Sequence, residues 1–227
     1  MSLQPGNIKL GSLIFSWSVP AVDTCPGKSS LCAVACYGLK GHYHFQTVRD
    51  SHFKNLASAE AEHFVPWMCE ELRRNFVKIL RGHAVGDFYS PEYTSEWDEI
   101  ASRNRRTSMC FYTRSWRDEA IYHELKLLKK RSNVLMWFSC DKETGAPPRL
   151  NDVRRAYMAV DDDDIPKFKT DLVFRVQPHL SVRKYWPDGT LVCPYENKVT
   201  KTTCSQCMLC YRKKGIPRRE HKRWTST

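Results

Sequence analysis

Between residues 9 and 176, short apolar runs rich in β-branched and aromatic residues alternate with stretches of helical periodicity, and no other feature constrains the fold as much. Residues 9–19 read as a first strand, closed by Pro20. Spacing predicts a short helix over 31–38, a turn near 41–45, and helical segments over 47–56 and 59–80, the second interrupted at Pro66. A strand is expected at 81–88. Ser90 and Pro91 then supply an N-cap and a first helical position for a helix running to Arg103. The unit recurs as strand 107–113, helix 118–130 and strand 133–139, with further strands at 155–160 and 171–176. Along 107–113, Met109 and Phe111 alternate with Cys110 and Tyr112, so both faces of that strand are apolar. Strands joined through helices by short connections demand a parallel sheet. The expected fold class is therefore α/β, a partial (β/α) barrel with mainly parallel strands, followed by an irregular cysteine-rich segment. In domain terms, 1–190 form the core with its N-terminal cysteine loop, 191–211 a metal-binding segment packed on it, and 212–227 a basic flexible tail.

The cysteines sort into two groups near the chain ends. Cys193, Cys204, Cys207 and Cys210 place four thiols in one short segment, the last three at successive two-residue gaps. A zinc knuckle draws its thiolates from separated C-x-x-C pairs, whereas evenly spaced cysteines wrap the corners of an iron–sulfur cube, with Cys193 supplying the fourth corner. The pattern points to an iron–sulfur cluster of the 4Fe-4S type, with zinc as the alternative. The second group, Cys25, Cys32 and Cys36, offers three ligands and leaves a position open to substrate or to a further residue. On a helix over 31–38, Cys32 and Cys36 stand one turn apart on the same face. Ten cysteines in a chain of 227 residues could instead pair as disulfides, but clustered thiols in a chain this large more often hold metal in a reducing compartment.

Functional residues of such a fold gather at the carboxyl ends of the strands, where the first cysteine loop, Asp87, Thr113-Arg114 and Cys140-Asp141 fall. Asp87 could orient a ligand or act as a base, and Arg114 could bind an anionic substrate. The structural alternatives are a helix-capping carboxylate and a buried ion pair. Cys140 could complete the first metal site. Cys69 and Cys110 read as core residues, His42 and His44 as exposed turn residues, and His83 as an interior residue on a strand. Four consecutive aspartates, Asp161 to Asp164, read as a solvated loop rather than a cation site.

Charge gives a weaker indication. The formal net charge is +11, concentrated around Arg103 to Arg106, Lys126 to Arg131 and the tail beyond Arg212. Such a tail fits a nucleic-acid or tRNA partner, or a solvated appendage; a host protein or small-molecule substrate is equally open. The N-terminus shows no signal or transit pattern and no apolar run approaches the roughly 20 residues that span a bilayer, so no membrane partner and a cytoplasmic location are expected. No nucleotide-binding loop or serine-hydrolase elbow is present in the sequence, which leaves those activities without support.

The chain resembles the phage family known as gene product 88. The matching blocks are Pro20-Ala21-Val22-Asp23-Thr24-Cys25-Pro26 with Cys32 and Cys36-Tyr37; Gly86-Asp87-Phe88-Tyr89-Ser90-Pro91-Glu92-Tyr93; Phe111-Tyr112-Thr113-Arg114-Ser115; and Cys193-Pro194 with Cys204, Cys207 and Cys210. The resemblance implies a virus-encoded protein of the host cytoplasm and no established reaction. A looser similarity links the chain to radical S-adenosylmethionine enzymes, partial barrels whose three-cysteine motif follows the first strand. Here the cysteine spacing differs, and Gly86-Asp87-Phe88 stands where a glycine-glycine-glutamate segment would help hold the cofactor. S-adenosylmethionine binding is therefore not expected from the motif.

Overall fold

A computed structural model describes residues 3–176, 180–197 and 199–213. Seven strands form one sheet in the order of the sequence: β1 (Gln4–Asn7), β2 (Gly11–Ser16), β3 (Ile79–Gly82), β4 (Ser108–Thr113), β5 (Val134–Cys140), β6 (Val153–Ala159) and β7 (Leu172–Arg175). β1 pairs antiparallel with β2, and every later pairing is parallel. The α/β class and the parallel sheet thus agree with the alternation in the sequence. β1 is an addition, because Pro5-Gly6-Asn7 reads as a turn. Pro5 removes a backbone donor and so confines the segment to a sheet edge, where β1 sits. The Asn7 side chain closes the hairpin by accepting from the amides of Lys9 at 2.9 Å and Leu10 at 2.7 Å.

Crossovers between strands carry the helices. α1 (Ser30–Ala35), α2 (Gln46–Ala59) and α3 (Phe64–Arg74) lie between β2 and β3, α4 (Pro91–Arg103) between β3 and β4, and α5 (Glu119–Leu128) between β4 and β5. Pro66 occupies the first turn of α3, so the expected break becomes the boundary between two helices. Ser90 caps α4 by accepting from the Tyr93 amide, and Asp118 caps α5 by accepting from that of Ile121. β3 starts two residues earlier than expected and ends at Gly82, which leaves His83 just beyond it. After β5 the connections to β6 and β7 contain no helix among the described residues. The last element, α6 (Cys204–Cys207), and a single 3-10 turn at Leu209–Tyr211 give the C-terminal segment more order than expected. The basic tail from residue 214 onward lies outside the described residues.

Two apolar clusters sandwich most of the sheet, with the strands alternating between them, and a third gathers Cys140, Tyr157, Val173 and Trp186. Met109, Phe111, Val134, Met136 and Phe138 face the helices, together with Trp17, Phe64, Met68 and Trp97. Cys110, Tyr112 and Trp137 face the opposite way, toward Leu10, Leu191, Cys193 and Tyr211. Parallel sheets need both faces covered. Here α3, α4 and α5 cover one, and Leu191, Cys193, Cys204, Cys210 and Tyr211 lie over the other.

His83 lies in the helix-side core, 2% exposed, at a positive φ of 53°. Its Nε2 lies 2.9 Å from the Tyr93 hydroxyl, which also accepts from the Trp17 indole at 3.0 Å. Burial, reinforced by the nearby Arg81 charge, pushes its pKa down from 6.5 to about 3. The unfolded chain therefore binds a proton in that window that the folded chain does not. The His83 contribution is fully present above pH 6.5 and is lost as pH falls toward 3. Chemical denaturation across this range is expected to give a stability slope that His83→Leu lowers by up to about 1.4 kcal/mol per pH unit. An unchanged slope would show that His83 is already protonated in the fold.

Candidate functional site

The N-terminal cysteine loop is docked across the carboxyl ends of β4 and β5. Gly27 lies so close to the chain after β4 that an added Cβ would come within 1.9 Å of the Arg114 carbonyl oxygen. Arg117 donates to the carbonyls of Gly27 and Lys28, each at 3.1 Å. Ser29 caps α1 by accepting from the Cys32 amide at 2.9 Å, and its hydroxyl donates to Asp141 Oδ2 at 2.6 Å. Arg114 Nη2 meets the same carboxylate oxygen at 3.0 Å. A continuous path thus runs from the Cys32 backbone through Ser29 and Asp141 to Arg114.

Electrostatics tie the same residues together. Asp87 is 5% exposed, and its carboxylate accepts from the amides of Phe88 and Arg114, each at 2.8 Å. Burial pushes its pKa up to about 6, partly opposed by hydrogen bonds from Thr113, Arg114, Phe88 and Ser115. Any stability this carboxyl adds by protonation is complete below 3.8 and disappears as pH rises through 6. The Cys25 thiol is pushed up to about 12 by burial and by the Asp87 charge. Burial also raises Cys32, against which the Arg114 charge acts. The structure therefore brings Cys25, Cys32, Cys36, Asp87 and Arg114 into one electrostatic neighbourhood.

Asp141 is the residue that sequence reasoning left without a role. It is fully buried, accepts from Ser29, Arg114, Glu143 and Thr144, and titrates below the usual carboxylate range because those bonds and the Arg114 charge outweigh its burial. The signal was present, since an aspartate ending an apolar strand must find donors. Cys140, beside it, is buried in a separate cluster with Tyr157 and Trp186, and its thiol donates to the Ala156 carbonyl at 3.4 Å. It does not join the first cysteine group by any described bond. His42 packs against Tyr43, with ring planes tilted by 35°, in the 3-10 turn Gly41–His44. The aspartate run divides, Asp164 binding Tyr157 inside while Asp161 and Asp162 pair with Lys142 and Arg183 outside.

The second group is held against the hairpin. The amides of Cys204 and Ser205 donate to the carbonyls of Lys9 at 2.8 Å and Leu10 at 2.9 Å, and Cys193 donates to Val173 at 2.8 Å, alongside β7. Thr203 and Gln206 form a capping box at the start of α6, and Met208 ends it at a φ of 57°. This left-handed residue turns the chain between Cys207 and Cys210. All four cysteines line one small, partly open apolar cleft. Burial raises the pKa of Cys193, Cys204 and Cys210, while Lys9 and Arg81 act against it. Among the described residues no three His, Cys, Asp or Glu side chains converge as ligands of a single ion.

A seven-stranded, mostly parallel sheet with helices on one face and a cysteine segment on the other defines an α/β protein with two thiol groups, one at the strand ends and one across the sheet. The chain belongs to the gene product 88 family, whose pattern matches residues 2–213, and it is a bacteriophage protein. It is similar to the Gene 88 protein of Mycobacterium phage L5, 22% identical over 204 residues covering 82% of this chain and 77% of that one. The Gene 88 protein of Mycobacterium phage D29 is 23% identical over 199 residues, covering 82% and 78%. No solved structure matches the chain. Among the described residues no helix is long and apolar enough to cross a membrane.

Breaking the Arg114–Asp141 pair leaves a guanidinium that is 12% exposed without its carboxylate. Asp141→Asn is expected to cost about 3–5 kcal/mol in chemical denaturation, and the double variant Asp141→Asn with Arg114→Met less than that, because the orphaned charge is gone. Equal losses would show that the carboxylate serves the loop backbone alone.

Proposed function

We propose that this protein binds an iron–sulfur cluster through Cys193, Cys204, Cys207 and Cys210, and that Cys25, Cys32 and Cys36 form a second, open site for redox or radical-type chemistry. The observation that carries the reading is one apolar cleft lined by four cysteines spread over 18 residues. The sequential strand order, with helices on one face, supports a partial barrel whose site lies at the strand ends. Free thiols in such numbers suit the reducing host cytoplasm.

A cluster, when bound, supplies one-electron transfer. The chain's own residues supply the rest. Arg114 is oriented by Asp141 and keeps its buried Nε without a partner among the described residues, a donor for an anionic small-molecule substrate. Asp87, with a pKa near 6, can give or take a proton near neutral pH beside Cys25. Asp87 is itself buried, which keeps its proton exchange away from bulk water.

Protein purified without oxygen is expected to be brown, with acid-labile sulfide and about four irons per chain for one cluster, or about eight if the N-terminal group also binds one. Serine at Cys193, Cys204, Cys207 or Cys210 is expected to lose the C-terminal cluster's iron, while Cys69→Ser, in α3, retains it. Stoichiometric zinc without sulfide would sink the redox reading and leave a zinc-stapled nucleic-acid-binding protein, whose affinity should fall steeply with salt.

A further inference from the structure

Arg81 stands inside the apolar run Ile79-Leu80-Arg81-Gly82 of β3, an unusual place for a charge. It pairs in register with Cys110 of β4, so the two side chains share the face that carries the C-terminal cysteines. Its guanidinium lies over the Tyr112 ring, 3.9 Å from the centroid. Tyr112 in turn stacks on Trp137 with centroids 5.1 Å apart and planes within 7°, and Arg154 lies over the far side of Trp137 at 5.2 Å. This ladder crosses four parallel strands, β3 to β6, and the C-terminal segment sits on it. The Cys110 thiol and the Trp137 indole both donate to the Cys210 carbonyl, at 3.4 and 3.3 Å, and Arg154 donates to the Leu209 carbonyl at 3.0 Å.

The charges on this face do not balance. Lys9 is neutralised by Glu196 at 2.6 Å. Arg154 donates to the carbonyls of Leu209 and Arg212. Among the described residues Arg81 has no carboxylate within ion-pair distance, although it is partly buried beside Cys110, Tyr211 and Tyr112. A partly buried cation with no counter-ion is costly unless an anion joins it. Four thiolates around a zinc ion, or around a four-iron cluster in its usual oxidised state, carry a net charge of about −2. We infer that Arg81 is the built-in counter-cation of the C-terminal cysteine site, a positioning residue that draws a negatively charged thiolate-ligated centre onto the sheet. Stacking on Tyr112 holds the guanidinium in place without consuming its charge, as a carboxylate would.

The inference rests on the proposed ligation by Cys193, Cys204, Cys207 and Cys210, and one experiment separates the two. Metal-free full-length protein is titrated with cobalt(II), whose thiolate complexes are read in the visible spectrum, in the natural sequence and in Arg81→Gln and Arg81→Lys. Arg81→Gln is expected to bind at least about tenfold more weakly, and Arg81→Lys to recover most of the loss because it restores the charge. Circular dichroism of the metal-free variants controls for folding. If the iron-loaded protein forms, its reduction potential should also fall in Arg81→Gln and not in Arg81→Lys, a shift that lost packing alone would not sort by charge. Equal cobalt affinity in the natural protein and Arg81→Gln overturns the counter-cation. Equal losses in Gln and Lys variants also overturn it, by assigning Arg81 to packing. No thiolate-bound cobalt in the natural protein overturns the ligation itself.

Discussion

A sheet wound in one direction has a bare face. Each right-handed crossover returns on the same side, so the helices gather there, and parallel strands cannot leave the other side to water. In this protein that side carries Ile14, Cys110, Tyr112 and Trp137, all less than 10% exposed, and the chain covers it with its own C-terminal segment. The rest of the structure depends on that cover. It explains why the described residues between Leu191 and Tyr211, poor in regular elements, are nevertheless fastened at both the hairpin and β7.

Fastening also accounts for the arrangement of the cysteines. The segment is anchored by backbone bonds to Lys9, Leu10 and Val173 and by side-chain donors from Trp137 and Arg154. Those anchors are polar contacts at the rim of an apolar cluster, and they leave the four cysteines grouped around the same cleft. The N-terminal loop follows a different logic. It is held in part by one buried carboxylate, Asp141, which serves Ser29 and Arg114 at once, and losing one partner of such a buried pair costs more than losing one of a solvated pair such as Lys142–Asp161. Removal of a single partner there disturbs both the loop and the arginine.

Much of the fold was legible because local rules and burial agree. Ser90-Pro91 and Asp118 mark helix starts by the chemistry of unpaired amides, and the structure begins α4 and α5 there. The alternation of Met109 and Phe111 with Cys110 and Tyr112 predicts two covered faces, and two clusters receive them. β1 was hidden because Pro5 and Gly6 are turn residues unless a neighbouring strand satisfies them from one side. His83 was placed one element too early, since periodicity does not say where a strand stops pairing.

For the candidate site, the sequence by itself determined which residues are candidates to carry chemistry. Cysteine spacing is a local property, and the carboxyl ends of strands can be counted along the chain, so Asp87, Arg114 and the two thiol groups were nameable in advance. Only the tertiary structure decided which of them meet. That Asp141 joins Ser29 to Arg114, residues 112 and 27 positions away, depends on how β4 and β5 stand beside the docked loop. That Arg81 lies against Tyr112 beneath the C-terminal cysteines depends on the register of β3 with β4. Ion pairs and stacking act across space over a few ångströms, and sequence separation carries no information about that distance until the sheet has formed.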